Sequence, residues 1–360
     1  MTTILSGTIT RKESQSETRI VLVFVLHCAY LDLFDTVNDR IFVRSTHPYH
    51  DEILQISYPQ HMFQRTRPCP PKAFEDTPFT WVATPEDLAR LVQKLRQASE
   101  IAVDLEHHSY RSYYGFVCLM QISTREEDFI IDALALREEL EDLNEIFVDP
   151  TIIKVKTFHL YLNDLLIPLQ VFHGADSDIV WLQENFNIYV VNLFDTYRAS
   201  KVLGKALSYR HQTHSAHSCP PELPRHSLAA LLSLYCDFTA DKRYQRADWR
   251  IRPLPEEMLF YARSDTHFLL YVYDRLRESL LDRGQGSDAL IQRVLRNSEE
   301  TALKEFHRET YEAETGEGSR GWGGVLRSYN KRLTGVQREV FIAVHAWRDR
   351  VAREEDESPL

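Results

Sequence analysis

Asp104 and Glu106 stand two residues apart in Ile101-Ala102-Val103-Asp104-Leu105-Glu106, a short apolar run with β-branched content that predicts a strand. Side chains alternate faces along a strand, so the two carboxylates point the same way and lie side by side. Carboxylates that close repel, and at least one titrates high unless a cation sits between them. In a strand with the composition of a sheet core, the natural cation is a metal ion. The competing reading is an edge strand whose acids face water. Asp265 adds a third carboxylate, on the apolar stripe Met258, Ala262, Leu269, Val272, Leu276 of a helix predicted over Pro255–Arg283. A buried acid is costly unless compensated, by a metal or by an arginine such as Arg263 or Arg250. Tyr261 lies four residues earlier on the same face, within reach of whatever Asp265 binds. Asp178 is the fourth, at a helix start after the turn His173-Gly174-Ala175, where an aspartate is also a common cap and Asp176 competes for the role. Four carboxylates around two Mg²⁺ ions make a two-metal site that clamps the attacking and leaving oxygens of a phosphodiester. Hard oxygen donors suit Mg²⁺ or Mn²⁺ rather than zinc.

The elements that must bring these residues together can be read in outline. Thr84-Pro85-Glu86-Asp87 opens a helix with an N-cap threonine, proline in the first turn and an acid at N3, and Leu88, Leu91, Val92 and Leu95 follow at helical spacing. Strands are predicted at 101–106, Phe116–Ser123 and Asp128–Ala133, joined as a meander. Beyond them come a helix Arg137–Phe147, a strand Thr151–Val155, a strand or extension at Val171-Phe172, a helix Ile179–Phe186 stopped near Asn187, and a strand Tyr189–Phe194. A meander followed by alternating helices and strands is an α/β pattern: a mixed sheet with helices on both faces. Helices follow at about 196–203 and 227–236. A polar stretch, 285–330, reads as linker, and a last helix, Gln337–Ala352, carries Val340, Val344, Trp347 and Val351 on one stripe.

Between Lys242 and Arg252 five basic residues (Lys242, Arg243, Arg246, Arg250, Arg252) meet one acid, Asp248, with Tyr244 and Trp249 among them. Cations interleaved with aromatics suit a single-stranded nucleic acid, through phosphate neutralisation and base stacking. Trp249 reads as a core anchor within that stretch. His107, His108, Tyr110 and His173 flank the acids, where contact with a bound nucleic acid competes with a packing role.

Three short motifs, Val103-Asp104-Leu105-Glu106, His173-Gly174-Ala175-x-x-Asp178 and Tyr261-Ala262-Arg263-x-Asp265, resemble those of the DEDD exonuclease superfamily, DEDD-Y subclass. The stretches Asp104–Arg111, Cys118–Arg125 and Ala247–Glu257 narrow the resemblance to the RNase D-like subunit of the eukaryotic nuclear exosome, over roughly 47–284, and Gln337–Ser358 resembles the start of that family's HRDC domain. The resemblance implies an RNase H-like (DnaQ-type) fold and a metal-dependent 3′-5′ exoribonuclease that releases nucleoside 5′-monophosphates. Asp104, Glu106 and Asp265 would hold the metal that carries the nucleophilic water; Asp104 and Asp178 would hold the metal at the leaving oxygen. Tyr261 would orient the water, with His107, His108, His173, Lys242, Arg246 and Arg250 as candidate RNA contacts. The implied partners are single-stranded RNA 3′ ends and the exosome core, in nucleus and nucleolus. The implied domains are an unassigned segment 1–45, an extended wrapping segment 46–83, the nuclease 84–284, the linker 285–330 and a truncated HRDC domain 331–360. Two stretches, 156–171 and 205–224, read as insertions relative to the family, and the first threatens the placement of Asp178. His211, His214, His217 and Cys219 in the second match no zinc spacing. The alternatives are a catalytically impaired RNA-binding scaffold and a DNA 3′-5′ exonuclease.

Composition sets the outer bounds. The chain has 360 residues, 43% hydrophobic and 26% charged, as in ordinary globular proteins of one large or two moderate domains. A formal net charge of −11 argues against nucleic-acid binding over the whole surface but is compatible with a local basic channel. The cysteines (Cys28, Cys69, Cys118, Cys219, Cys236) form no C-x-x-C pair, which fits a reducing compartment. The apolar run Ile20–Ala29 is too short to span a bilayer and has acids upstream, so no membrane span or signal peptide is expected.

Overall fold

A computed structural model describes residues 47–148, 168–211, 226–308, 311–318, 320–329 and 333–358, with the side chains of 205–211 excepted. Residues 1–45, the strand predicted at Thr151–Val155, most of the apparent insertion 156–171, and the side chains of His211, His214, His217 and Cys219 lie outside the described residues.

A six-stranded mixed sheet, in the order β1-β4-β3-β2-β5-β6, forms the centre. The antiparallel meander β2 (Glu100–His108), β3 (Phe116–Ser123) and β4 (Asp128–Asp132) sits in its middle, with β1 (Phe79–Val82) parallel to β4. On the other side β5 (Leu169–Phe172) runs parallel to β2, and β6 (Leu193–Asp195) parallel to β5. Phe79–Val82 therefore completes the sheet, where an extended wrapping segment was expected.

Helices cover both faces. Alternate residues of β2 divide between them: Ile101, Val103 and Leu105 join one core with α2 (Pro85–Leu95) and α4 (Asp178–Phe186).

 Residues of α3 (Asn144–Phe147) close the same layer. Ala102 faces the other core, with Val171, Phe194 and side chains of α5 (Thr196–His211), α6 (Leu228–Cys236), α8 (Leu269–Gly284) and α9 (Ala289–Ala302). Asp104 and Glu106 follow Ala102 at the strand period, so they share this second face. There α7 (Glu256–His267) crosses the sheet over Cys118, Leu119 and Ile130, burying Met258, Ala262 and Trp249 against them. The short α1 (His50–Leu54) buries Ile53 in the first core.

Several boundaries move. The long helix expected over Pro255–Arg283 is two helices that meet at Phe268, which is buried among Phe74, Phe238 and His267. The helix expected over Arg137–Phe147 is a 3₁₀ turn, Leu140–Leu143, and the single turn of α3. The polar stretch expected as linker contains α9, whose Ile291, Val294 and Leu295 are buried. The C-terminal helices α10 (Trp322–Ser328) and α11 (Gly335–Glu354) pack on each other, and a Thr334–Gln337 capping box opens α11. Most of its apolar stripe is outward: Val340, Val344 and Trp347 are 57%, 55% and 57% exposed. Its inward face is polar. Asp349 accepts from the Tyr113 hydroxyl at 2.6 Å, and Asp356 accepts from Ser112 Oγ and the Tyr113 amide, both at 3.0 Å. No helix of the described residues is long and apolar enough to cross a membrane.

Candidate active site

Strand β2 carries the first two acids in register with β3, Asp104 opposite Gln121 and Glu106 opposite Leu119. The register shifts between Glu106 and His107, a bulge that re-aims the residues after the acids. Asp104, Glu106 and Asp265 each bring a carboxylate oxygen to within 4.8 Å of one another. The charges that act on these acids are those of other acids. Glu106 is pushed far above the usual carboxylate range by burial and then by Asp104, Asp265 and Asp178. Burial raises Asp104 to about 7, although the Leu105 amide favours its charged form. Asp265 is raised by burial and Asp104, with a hydrogen bond from Tyr261 opposing. Hard oxygen donors packed together with only other acids acting on them fit a divalent metal, which would relieve the repulsion that burial magnifies.

Asp265 depends on how α7 is pinned. Asp128 of β4 accepts from Arg263 Nε at 2.6 Å, and its Oδ2 lies 2.9 Å from His267 Nδ1. Ser123 Oγ is 2.8 Å from both Asp128 Oδ1 and Thr266 Oγ1. Arg263, Thr266 and His267 thus hold the helix to β3 and β4, and Asp265 faces β2. The arginines that might have neutralised Asp265 are engaged elsewhere, Arg263 with Asp128 and Arg250 with Asp248. Tyr261, one turn before Asp265, lies between Tyr244 and Trp249, each ring centroid 6.0 Å from its own. Trp249 is buried, as the sequence predicts for a core anchor.

Asp178 is the first residue of α4, and no side chain caps that helix. Its carboxyl is raised by burial and then by Asp104, Asp195 and Asp176, so it faces the same acidic cluster. The competing Asp176 is taken by Arg198, at 2.7 Å, and by Lys304. The strand that leads to Asp178 is β5, so Leu169, Gln170 and Val171 belong to the sheet and not to an insertion. Sequence reasoning missed Asp195. This fully buried carboxylate accepts from the amides of Gly174 at 2.8 Å, Ala175 at 3.3 Å and Tyr197 at 2.8 Å. It thereby holds the turn before Asp178, in which Gly174 has φ +73, a conformation glycine adopts without strain. Asp195→Asn replaces an acceptor with a donor facing amide N–H groups, so a loss of about 1–3 kcal/mol in urea unfolding is expected. Mn²⁺ affinity should fall about 10–100-fold, measured by titration of the refolded variant.

The rim residues sort differently from their sequence-based expectations. His107 is exposed and stacks on Trp181 with centroids 5.0 Å apart. His108 turns inward, where Nε2 accepts from the Arg111 amide at 3.2 Å, so its role is to hold the loop. His173 Nδ1 lies 2.9 Å from Thr196 Oγ1, and burial lowers its pKa to about 4. Lys242 and Arg246 are exposed, whereas Arg250 is bonded through Nε and Nη2 to Asp248, both at 2.8 Å. Arg243 and Arg252 are likewise paired, to Asp241 and Asp132, so much of the basic stretch is neutralised locally. A groove of about 420 Å³ opens beside Tyr261, walled by Phe238, Tyr244 and Phe260.

A family model described as 3′-5′ exonuclease matches residues 79–281. Exosome complex component 10 of Mus musculus is 45% identical over 312 residues, 87% of this chain and 31% of that protein. Exosome complex exonuclease RRP6 of Saccharomyces cerevisiae is 42% identical over 322 residues, 87% of this chain and 38% of that protein. The chain therefore spans about a third of the length of these curated relatives. Among solved structures, the catalytic core of RRP6 from Trypanosoma brucei superposes with a TM-score of 0.71 at 37% identity, covering 87% of this chain and 75% of that one. Escherichia coli RNase D shares the fold, with a TM-score of 0.51 at 22% identity over 78% of this chain and 62% of that one. On the match over residues 79–281 and the superposition on that core, the chain belongs to the 3′-5′ exonuclease family, in the group that contains the RRP6 catalytic cores.

Proposed function

We propose that this chain is a metal-dependent 3′-5′ exoribonuclease that hydrolyses single-stranded RNA from its 3′ end to nucleoside 5′-monophosphates. The observation that carries the reading is the convergence of Asp104, Glu106 and Asp265, with Asp178 acting on them, in a cluster buried at Glu106 and Asp265 and half-buried at Asp104 and Asp178, which no lysine or arginine neutralises among the described residues. Asp104, Glu106 and Asp265 would hold one Mg²⁺ or Mn²⁺ ion, and Asp104 with Asp178 a second. Bound there, two such ions supply charge neutralisation and an activated water for in-line phosphoryl transfer. Tyr261 donates to Asp265 and so presents its phenol at the cluster, where it orients the attacking water; its pKa is pushed up by burial and by Asp265, Glu106 and Asp104, which keeps the proton on oxygen. The exposed His107, Lys242 and Arg246, and the edge of His173, are the groups we assign to the RNA 3′ end. The paired Arg250 acts through the loop that holds Trp249.

The names of the relatives support a place beside the exosome core. The sequence motifs are what support a nuclear and nucleolar setting, residues 84–284 as the nuclease and 331–360 as the start of an HRDC domain. Asp265→Asn preserves size and helix and is expected to abolish Mg²⁺-dependent shortening of a 5′-labelled single-stranded RNA, by at least about 10³-fold, with an unchanged circular dichroism spectrum. Equal rates for variant and parent, or shortening that survives EDTA, would sink the proposal. RNA bound without shortening by the parent would make it a scaffold, and preferential shortening of DNA would move it to a DNA exonuclease.

A further inference from the structure

Gln121 lies in the middle of β3, directly across the strand pair from Asp104. Its side chain is fully buried, and neither Nε2 nor Oε1 has a hydrogen-bond partner. A buried carboxamide left unpaired costs about 1–3 kcal/mol, whereas an apolar residue of the same shape costs nothing comparable. Directly opposed residues of an antiparallel pair project to the same face, with Cβ atoms about 4.5–5.5 Å apart. Gln121 therefore shares the face of the acidic cluster, under α7, two residues before the Ser123 that touches Thr266.

We infer that Gln121 is a positioning residue for Asp104: when metal is bound, its amide N–H₂ donates to the Asp104 carboxylate and holds that carboxylate in the orientation that ligates metal. This rests on the two-metal reading proposed above. The chemistry is that of a neutral donor behind a ligand. An arginine or lysine there would neutralise Asp104 and compete with the metal, whereas a carboxamide orients an acceptor without cancelling its charge.

The test is Gln121→Met, which keeps length and removes every polar atom. Mn²⁺ binding to the full chain, followed by electron paramagnetic resonance of free Mn²⁺, should weaken about 10–100-fold. The unfolding temperature in EDTA should stay the same or rise, because an orphaned polar group has left the core. In an Asp104→Asn background the same substitution should have no further effect on Mn²⁺ affinity, since its action runs through that carboxylate. Unchanged Mn²⁺ binding by Gln121→Met, with a parent chain that binds Mn²⁺, would overturn this inference alone. A parent chain that binds no Mn²⁺ would overturn the two-metal reading and this inference with it. A variant that loses stability in EDTA in proportion to its loss of Mn²⁺ would assign Gln121 to packing, and overturn the inference as well.

Discussion

Asp104→Asn is expected to abolish RNA shortening and, in EDTA, to make the protein more stable than its parent. Both effects come from one carboxylate. Asp104 is the ligand we assign to both metals, so its loss should reduce the rate by about 10³-fold or more. The stability effect follows from linkage. In the fold, the Asp104 carboxyl is raised to about 7, mainly by burial. An unfolded aspartate titrates near pH ~3.9. Below that value the group is protonated in both states and carries no penalty. Between it and about 7 the fold holds a proton that the unfolded chain has released, so stability falls as pH rises through this window. Glu106, Asp178 and Asp265 are raised in the same direction and deepen the effect. At neutral pH an asparagine removes Asp104's share, on the order of 2–4 kcal/mol, with about 2–4 °C in Tm for each kcal/mol. Differential scanning fluorimetry at pH 5 and pH 8, with EDTA or Mg²⁺, checks this. The gain should be larger at pH 8, and Mg²⁺ should stabilise the parent more than the variant. A variant less stable than its parent in EDTA at pH 8 would contradict the placement of Asp104 among uncompensated acids.

Trp249→Ala should produce the largest loss of folding stability of any single change in the basic loop. Trp249 is among the largest fully buried side chains and packs in the cluster of Cys118, Leu119, Ile130, Met258 and Ala262 beneath α7. Truncating a buried tryptophan costs about 3–5 kcal/mol, less whatever is recovered from its unpaired Nε1. The catalytic effect should exceed what the lost stability explains at low temperature, because Tyr261 loses one of its two aromatic neighbours. Urea unfolding and RNA shortening at 10 °C separate the two effects. Trp249→Phe, which removes the orphaned N–H and keeps most of the volume, should recover most of both. Parent-like stability in Trp249→Ala would mean that the loop is anchored by something else.

The site was legible in the sequence because each of its parts carries a local signal. Asp104 and Glu106 fall in a period-two strand, and Tyr261 and Asp265 on a helical stripe. Only their convergence needed the fold. Where the reading failed, the physical reason is specific. β5 is buried on both faces as an inner parallel strand, so it shows no alternation, and its Leu169, Gln170 and Val171 read as part of an apolar insertion. The break at Phe268 involves neither glycine nor proline, and nothing in the helical pattern marks it. Helix α9 was visible in principle, since Ile291, Val294 and Leu295 recur at helical spacing within a polar segment. In α11 the apolar stripe misleads because the contact with the body is made by Asp349 and Asp356. Arg250 looked available to RNA because the sequence does not reveal that Asp248 folds back onto it. Asp195 gave no signal: its importance lies in three backbone amides, which every residue possesses.

Asp128 binds both Arg263 and His267, residues four apart on α7. Both contacts end on one oxygen, Asp128 Oδ2, while Ser123 holds Asp128 Oδ1 and Thr266. The setting of Asp265 over β2 thus depends on a carboxylate that is not itself among the clustered acids, and the helix and the metal ligand it carries are seated together.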